Sequence, residues 1–465
     1  MTKHRKPITK YDIRQRLISR SLWTILIVEV IFVSALLIYF YVILPRPRQV
    51  PVGSVTKTQA KKEIKTGKVI SEESARVFSA NEVQKIILQT NKRFDNPVNT
   101  EVTKQTFVFT TSDGSKDNVP VYARVYLPSG NNKKPIFAFA PGTSGMADSC
   151  SASLEDPVKK DWANYDSLLM AYASQGYAVV TIDYEGMRDS SRLHHFMVGE
   201  LQGKALLDSV RAVSTLAVTK DQLDSDSVFS AGYSEGGQAA YWADQIKNDY
   251  APDVNLKGAI GFGPVTSVEE TIDDATRGAN INWFGPLLLA SYGDWYKTSY
   301  PIDKILLSRW AKSYQQEAQS GCIDGFNKTW PNNIGTNRSD QIFTSEFIKA
   351  AKDLNIAINP IYAAFSADMA KNIVGSTNTA RPKLINQGTH DDVILLSQSQ
   401  HGFERMCVQS NIVTFKKYDT SPFAIDNANP TGSVDHYHTM NASFKDTLAW
   451  MQTILSQKAV PNSCK

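Results

Sequence analysis

Residues 230–238 read Ser-Ala-Gly-Tyr-Ser-Glu-Gly-Gly-Gln and contain the pattern Gly-x-Ser-x-Gly, with Ser234 at its centre. The residues before it, 226–230, are typical of a short buried strand, and the alanine-rich residues after it are typical of a helix. Gly232 and Gly236 lack a Cβ atom, so the turn between strand and helix can be tight. A serine on such a turn presents its hydroxyl as a nucleophile. The alternative, a Gly/Ser-rich turn without chemistry, is disfavoured by the flanking strand and helix.

Apolar strand-like segments alternate with helix-like segments on both sides of this turn, the helices including 165–174 and 199–212. This alternation predicts an α/β chain with a mostly parallel central sheet covered on both faces. The predicted strands are 106–111, 119–127, 135–140, 177–183, 226–230, 256–264 and 382–388. Together with the serine turn they predict the α/β-hydrolase fold.

The last two predicted strands are separated by residues 266–381, far more than a crossover connection needs. We expect an inserted helical cap subdomain over this range, with helices at 302–317 and 345–354. The hydrolase core is then divided into a first part, 76–265, and a second part, 382–465. The segments before the core are predicted as a basic cytoplasmic tail at 1–21, a transmembrane helix at 22–44 and a polar linker at 45–75.

The apolar segment 22–44 predicts a single-pass signal-anchor. With a rise of about 1.5 Å per residue, a helix over this range would be roughly 34 Å long, enough to cross a bilayer core. The Lys and Arg residues before it favour a cytoplasmic N-terminus, with the catalytic domain outside the cytoplasm. A cleaved signal peptide is the alternative, but the apolar run is long for one and no Ala-x-Ala site follows it.

Composition narrows the classes of ligand. The net charge is +4, and no basic stripe interleaved with aromatic residues indicates a nucleic-acid partner. The four cysteines include no Cys-x-x-Cys pair, so neither a zinc site nor a dithiol motif is indicated. An even number of cysteines in an exported domain is compatible with two disulfides. We therefore expect no metal and no other cofactor.

A nucleophilic serine needs a base to accept its proton and a carboxylate to orient that base. In α/β-hydrolases the acid and then the histidine follow the serine along the chain. Asp391 follows the last predicted strand and is the preferred acid, with Asp392 as its rival. His436 is the preferred base and His438 its rival, because both precede the helix predicted at 442–455.

The other histidines after the N-terminal tail suit the base less well. His194 and His195 precede the serine, His390 adjoins the acid and His401 follows the acid closely.

Attack on a carbonyl builds negative charge on oxygen, and fixed donors must stabilise that charge. The backbone N–H of Glu235, directly after the serine, is one predicted donor of the oxyanion hole. The other is expected from the loop 141–145 after the strand 135–140, where Thr143 is preferred. A glycine-rich turn with no such role is the alternative for this loop.

With these residues placed, the chain resembles the secretory lipase family of α/β-hydrolases from about residue 67 to the last helix. The matching motifs are Gly142-Thr143-x-Gly145 followed by Cys150, Leu-Asp-x-x-Arg-Ala at 207–212, the elbow 232–237, Gly388-x-x-Asp391, and Asp435-His436 before a helix bearing Trp450. Pro141 stands where the family usually has a histidine.

The resemblance implies a serine lipase or carboxylesterase that cleaves acylglycerols or similar esters without a cofactor. It also implies two disulfides, Cys150–Cys322 and Cys407–Cys464, and a cap over the acyl pocket. The expected partners are an ester substrate and a membrane, the latter through the N-terminal helix, which is not part of the family's usual pattern. The alternatives are a serine peptidase or acyltransferase on the same fold or, less favoured, a non-catalytic adhesion protein.

An aromatic-rich segment of the predicted cap, 283–296, contains Trp283, Leu287 and Leu288. These side chains are candidates for lining an acyl-chain pocket, and the alternative is that they form the core of the cap itself. If they line a pocket, each buried CH₂ of the acyl chain adds up to about 0.8 kcal/mol, which favours medium or long chains over acetate.

Overall fold

A computed structural model describes residues 48–49, 66–156, 165–189, 191–279, 283–324, 327–328, 338–353 and 356–464. The chain divides into two compact units, Met1–Arg48 and Gln49–Lys465. Of the first unit only Arg48 is described, in the two-residue strand Arg48–Gln49. All the other described residues belong to the second unit.

One large sheet forms the centre of the second unit. Its strands from Val69 onward are β1 (Val69–Glu72), β2 (Arg76–Phe78), β3 (Val102–Thr111), β4 (Val119–Pro128), β5 (Lys134–Ala140), β6 (Ala178–Ile182), β7 (Leu223–Tyr233), β8 (Leu256–Phe262), β9 (Lys383–Gly388) and β10 (Val413–Tyr418). Their spatial order is β2-β3-β4-β6-β5-β7-β8-β9-β10, and β1 pairs with β3. From β6 to β10 along this order all pairs are parallel, whereas β1, β2, β3 and β4 pair antiparallel.

The register of the central strands brings their carboxyl ends to one edge. Ala140 of β5 lies opposite Gly232 of β7, and Phe262 of β8 lies opposite both Tyr233 and Asn386. In a parallel sheet this edge collects the loops that follow the strands. The loops after β5, β7, β8 and β9 therefore meet there.

Helices cover both faces of the sheet. On one face the helices 199–213 and 235–250 bury Leu206, Val210 and Ala239 against the strands, and on the other the helices 165–174 and 444–455 bury Tyr172 and Trp450. The helices are α1 (Ala80–Thr90), α2 (Tyr165–Ser174), α3 (Gly199–Val213), α4 (Glu235–Tyr250), α5 (Val268–Arg277), α6 (Phe284–Trp295), α7 (Ile302–Ile305), α8 (Ser308–Ala311), α9 (Tyr314–Ala318), α10 (Ser345–Lys352), α11 (Ala363–Ala370), α12 (Leu396–Val408), α13 (Thr439–Ala442) and α14 (Phe444–Leu455).

The segment between β8 and β9, called the cap below after the predicted cap subdomain, carries helices α5 to α11. Its single predicted helix at 302–317 is instead three short helices. The chain is pulled out of helical form at Leu306, which makes an antiparallel bridge with Phe343. The N–H of Leu307 also donates to Ile342 O at 3.0 Å, and that of Thr344 donates to Ile305 O at 2.9 Å. These long-range hydrogen bonds outweigh the local helical pattern.

All seven predicted strands overlap an observed strand, and the prediction of a mostly parallel α/β sheet is confirmed. The sheet begins inside the predicted linker, because β1 (Val69–Glu72) pairs with β3. The described ranges contain no helix that is both long and apolar enough to cross a membrane. The predicted basic tail and the transmembrane segment 22–44 lie outside those ranges.

Candidate active site

Ser234 stands between β7 and α4 in a conformation that ordinary residues seldom adopt. Its φ is +57° and its ψ is −117°, and strained backbone of this kind is common at functional sites. The N–H of Ser234 donates to Phe262 O at 2.9 Å, and its carbonyl accepts from the N–H of Gly237 at 2.9 Å and of Val265 at 3.1 Å. The neighbouring strand and helix therefore hold the turn in place.

Two glycines of this turn are required by close backbone approach. A Cβ atom on Gly232 would lie 1.9 Å from Gly236 O, and one on Gly236 would lie 1.9 Å from Ala140 O. Either contact is far inside van der Waals distance, so the helix can start directly behind the serine only with glycine at these positions.

The predicted acid and base meet at the same edge of the sheet. His436 Nδ1 lies 2.8 Å from Asp391 Oδ2, although 45 residues separate them in the chain. The imidazole of His436 lies against the ring of Tyr233, with 4.7 Å between ring centroids, and Tyr233 directly precedes Ser234. Gly263, after β8, lies against the His–Asp pair and leaves no room for a side chain, because a Cβ there would lie 2.9 Å from His436 Nδ1.

The carboxylate of Asp391 is fully engaged as an acceptor. Its Oδ1 accepts from the N–H groups of Val393 at 3.0 Å and Ile394 at 2.8 Å. Its Oδ2 accepts from Gln387 Nε2 at 2.9 Å as well as facing His436. These donors fix the orientation of the carboxylate. Its rival Asp392 is exposed to solvent.

The rival histidine, His438, occupies a different environment. Its Nδ1 lies 2.7 Å from Asp435 Oδ1 and its Nε2 lies 3.1 Å from Asp426 Oδ2. Burial alone would lower the pKa of His438, but the hydrogen bonds and charges of these two carboxylates raise it. With both ring nitrogens engaged by carboxylates, His438 holds the loop that carries His436.

The predicted oxyanion donors follow two neighbouring strands of the sheet, β7 and β5, at the same edge. Glu235 is the first residue of α4, so its N–H has no carbonyl one helical turn earlier to bond. In the loop after β5, Thr143 Oγ1 is buried and has no hydrogen-bond partner among the described residues. A buried hydroxyl of this kind is available to a ligand oxygen.

The loop that bears Thr143 is firmly anchored. The N–H of Gly142 donates to the Tyr165 hydroxyl at 2.7 Å, and the Tyr184 hydroxyl donates to Pro141 O. The N–H of Ile323 in the cap segment donates to Ser144 O at 2.8 Å. The disulfide Cys150–Cys322 crosses from the core to the cap segment nearby.

The second disulfide, Cys407–Cys464, ties the end of the chain to α12. Both pairings implied by the family resemblance are thus present in the structure.

The other four histidines of the described ranges form pairs away from the serine turn or behind it. His390 and His401 are exposed and pair with Asp419 and Glu270 at 2.9 and 2.8 Å. His195 lies between Glu185, 2.6 Å away, and Asp294 of the cap helix α6, 2.9 Å away. His194 is fully buried, and its Nε2 lies 3.6 Å from Glu235 Oε1.

The cap residues predicted to contact an acyl chain are all buried. Trp283, Leu287 and Leu288 belong to one hydrophobic cluster that joins the cap helices to the core segment around Phe196. Leu287 and Leu288 have no exposed surface. Their packing therefore contributes to the cap's attachment, and contact with an acyl chain stays a prediction.

Sequence reasoning missed three residues that build this site. Gln387 orients Asp391, Tyr233 packs on His436, and Gly263 admits the His–Asp pair. Only Gly263, in a Gly-Pro pair after a strand, left a signal in the sequence. Within the described ranges, no group of three or more His, Cys, Asp or Glu side chains is arranged to hold a metal ion.

A serine on a strained strand–helix turn, with a His–Asp pair at the same edge of a mostly parallel sheet, defines the class of α/β-hydrolases. Solved structures share this fold. The rice cell wall degrading esterase LipA from Xanthomonas oryzae superposes with a TM-score of 0.62 at 18% identity, covering 84% of this chain and 97% of that chain.

Comparison of the sequence with known protein families identifies the family. The model of the family described as secretory lipase matches residues 162–462, and the chain belongs to this family. The chain is 30% identical over 172 residues to Lipase A of Moesziomyces aphidis, covering 35% of each protein. It is 27% identical over 282 residues to the secreted triacylglycerol lipase LIP2 of Malassezia furfur, covering 59% of this chain and 55% of that protein. The matches thus span between about a third and just over half of these relatives' length.

Proposed function

We propose that this protein is a serine hydrolase of carboxylic esters that works through an acyl-enzyme on Ser234. The observation that carries the proposal is the 2.8 Å contact between His436 and Asp391, beside the strained turn of Ser234. Membership of the secretory lipase family supports the same reaction class.

In the proposed mechanism His436 is the general base. With its Nδ1–H donating to Asp391, the imidazole keeps Nε2 as the basic nitrogen that accepts the Ser234 proton. Ser234 Oγ then bonds to the carbonyl carbon of the ester. As the tetrahedral intermediate collapses, the protonated His436 gives its proton to the departing alcohol. Water, deprotonated by the same histidine, hydrolyses the acyl-enzyme.

The negative charge on the intermediate's oxygen is stabilised by the N–H of Glu235 and the hydroxyl of Thr143. Both donors are fixed before substrate binds, one by the start of α4 and the other by the anchored loop 141–145. Preorganised donors of this kind are typically worth 10²- to 10³-fold in turnover each, on the order of 3–4 kcal/mol.

The proposed substrates are acylglycerols or similar esters with medium or long acyl chains. The name of the Malassezia furfur relative, a secreted triacylglycerol lipase, supports this class. The apolar cap between β8 and β9 is the element expected to cover the acyl chain.

The catalytic domain is proposed to work outside the cytoplasm. Two disulfides favour an oxidising compartment. The relative named as secreted offers no support for membrane attachment, which stays a prediction about residues 22–44. Recovery of the full chain in the membrane fraction, resistant to salt extraction, is the result expected from a transmembrane anchor.

The proposal is tested with p-nitrophenyl esters of increasing chain length and one peptide anilide. Ester hydrolysis should be measurable, a fluorophosphonate probe should label the protein, and Ser234→Ala should abolish both. Cleavage of the anilide alone would make the protein a peptidase, and transfer to an added alcohol without hydrolysis would make it an acyltransferase. Labelling that persists in Ser234→Ala would refute the assignment of the nucleophile.

A further inference from the structure

Both halves of the proposed oxyanion hole lead to one buried histidine. His194 lies in the loop between β6 and α3 and has no exposed surface. It precedes the nucleophile in the chain, so it has the wrong order for the base, and the proposed mechanism gives it no role. Its Nδ1 lies 3.2 Å from Glu185 O, which fixes the ring.

The first connection runs to Glu235. The side chain of this residue is buried beneath the serine turn, with Oε1 accepting from Gln202 Nε2 at 2.6 Å. His194 Nε2 lies 3.6 Å from the same oxygen, too far for a hydrogen bond but within ion-pair distance. Among the described residues, His194 is the one basic side chain this close to the Glu235 carboxylate.

The second connection runs to the loop of Thr143. The ring of His194 is stacked on Tyr184, with 5.3 Å between centroids and 14° between planes. The Tyr184 hydroxyl donates to Pro141 O, two residues before Thr143. One imidazole thus touches the residue that supplies the backbone donor and the tyrosine that anchors the hydroxyl donor.

We propose that His194 is a positioning residue that balances the charge of Glu235 and holds the two oxyanion donors in register. This inference rests on the proposed function. A carboxylate on the residue that supplies an oxyanion donor repels the negative charge that develops in the tetrahedral intermediate. In this proposal a proton on His194 Nε2 places a positive charge 3.6 Å from Glu235 Oε1, which offsets the repulsion. Replacing the imidazole then leaves the buried carboxylate without that counter-charge.

The test compares wild type, His194→Phe, Glu235→Gln and the double variant. Phenylalanine keeps the stack on Tyr184 but removes the basic nitrogen. His194→Phe should lower kcat on a p-nitrophenyl ester about 10- to 100-fold with little change in KM, since the oxyanion hole acts in the transition state. It should weaken an alkyl boronic acid, which mimics the tetrahedral intermediate, by a similar factor. Glu235→Gln removes the charge that needs balancing, so the double variant should recover to within about fivefold of wild type.

A merely structural role for His194 predicts a different pattern, because losing both side chains would then add to the damage. A double variant no faster than His194→Phe, or His194→Phe with wild-type kcat, overturns the inference. If His194→Phe does not fold, Glu235→Gln alone decides. A loss of kcat of more than about tenfold in Glu235→Gln would show that the reaction needs the carboxylate, which would overturn the inference. His401→Phe, which removes an exposed His–Glu pair with a 2.8 Å contact, is the matched control and should keep full activity. Wild type that neither hydrolyses esters nor reacts with the fluorophosphonate would instead refute the proposed function.

Discussion

The hydrolase core and the cap are attached by different kinds of contact. In the core, Ser234, Asp391 and the Thr143 loop follow β7, β9 and β5, strands that are hydrogen-bonded to neighbours on both sides. The cap, 266–381, is a set of mostly short helices whose attachment is a hydrophobic cluster, one disulfide and an ionic bridge. The strands of the core are joined by regular backbone hydrogen bonds, whereas the cap is attached mainly through particular side chains, with a few backbone hydrogen bonds such as Ile323 N–H to Ser144 O.

We therefore expect the core to determine the rate of the reaction, and the cap to determine substrate preference and part of the stability. Changes at strand ends in the core should lower kcat strongly, while the residual activity keeps nearly the same preference for acyl-chain length. Changes in the cap should alter chain-length preference, unfolding free energy or pH response while leaving the reaction possible.

The largest effect is expected at the histidine of the core. His436→Ala removes the base and should lower kcat by at least about 10⁴-fold, as loss of the base does in other serine hydrolases. His438→Gln should cost less than about tenfold, because His438 faces Asp435 and Asp426 rather than the acid. Steady-state kinetics on one ester decide between them, and a reversed ranking would exchange the two roles.

Asp391→Asn should lower kcat by about 10⁴-fold, since an amide no longer holds the base in the required tautomer. The midpoint of the unfolding transition of this variant should stay close to that of wild type. Asp392→Asn is the matched control and should behave as wild type, because Asp392 is exposed. Equal losses in the two variants would show that the acid has been assigned to the wrong residue.

In the cap, the expected effect is on chain length. Wild type should prefer an eight-carbon over a two-carbon acyl ester by several hundred-fold, from about 0.8 kcal/mol per buried CH₂ less competition from solvent. Trp283→Ala should reduce this ratio of kcat/KM at least about tenfold. Trp310→Ala, another buried cap tryptophan in the same cluster, is the control and should preserve the ratio. A wild-type enzyme that prefers acetate would contradict the proposed acyl pocket.

The two disulfides attach different parts of the chain, the cap and the C-terminal tail, and their contributions to the free energy of unfolding can be compared. Replacing Cys150 and Cys322 by serine should lower the free energy of unfolding by about 2–5 kcal/mol. Replacing Cys407 and Cys464 should cost about 1 kcal/mol less, because loop-closure entropy grows with the logarithm of loop length. The sequence separations are 172 and 57 residues. Denaturant unfolding measures both, and a larger loss at the tail would contradict this order.

The smallest effect is a pH response at the junction of cap and core. Burial alone would lower the pKa of His195, but hydrogen bonds and charges from Glu185 and Asp294 raise it. Stabilisation by protonated His195 is therefore complete below the ordinary pKa of about 6.5 and is lost as pH rises through the raised value.

Wild type should exceed His195→Gln in unfolding free energy by about 1–2 kcal/mol at pH 5.5, with the difference shrinking toward pH 9. Asp294→Asn should weaken this pH dependence, because one of the two carboxylates is removed. A difference that grows with pH would contradict the assigned sign.

The sequence predicted the core better than the cap, and the reason is physical. Strands such as β5 and β7 are buried on both faces, so their apolar runs are visible without tertiary information. The cap helix predicted at 302–317 followed its local pattern and was broken by hydrogen bonds from 342–344, which no local pattern encodes. The helix α12 and strand β10 were not predicted, because their polar residues mask the periodicity.

By itself the sequence determined the serine turn, the order of nucleophile, acid and histidine, and the family, because these depend on residue identity and spacing along the chain. Only the tertiary structure decided which of two neighbouring histidines faces Asp391, since His436 and His438 differ by two positions and point to different carboxylates. It also brought His194 to Glu235 and His195 to Asp294. The direction of a side chain and the contacts between distant segments depend on how the sheet and the cap pack. That packing brings together residues that are far apart in the chain, and their spacing in the sequence does not predict the contact.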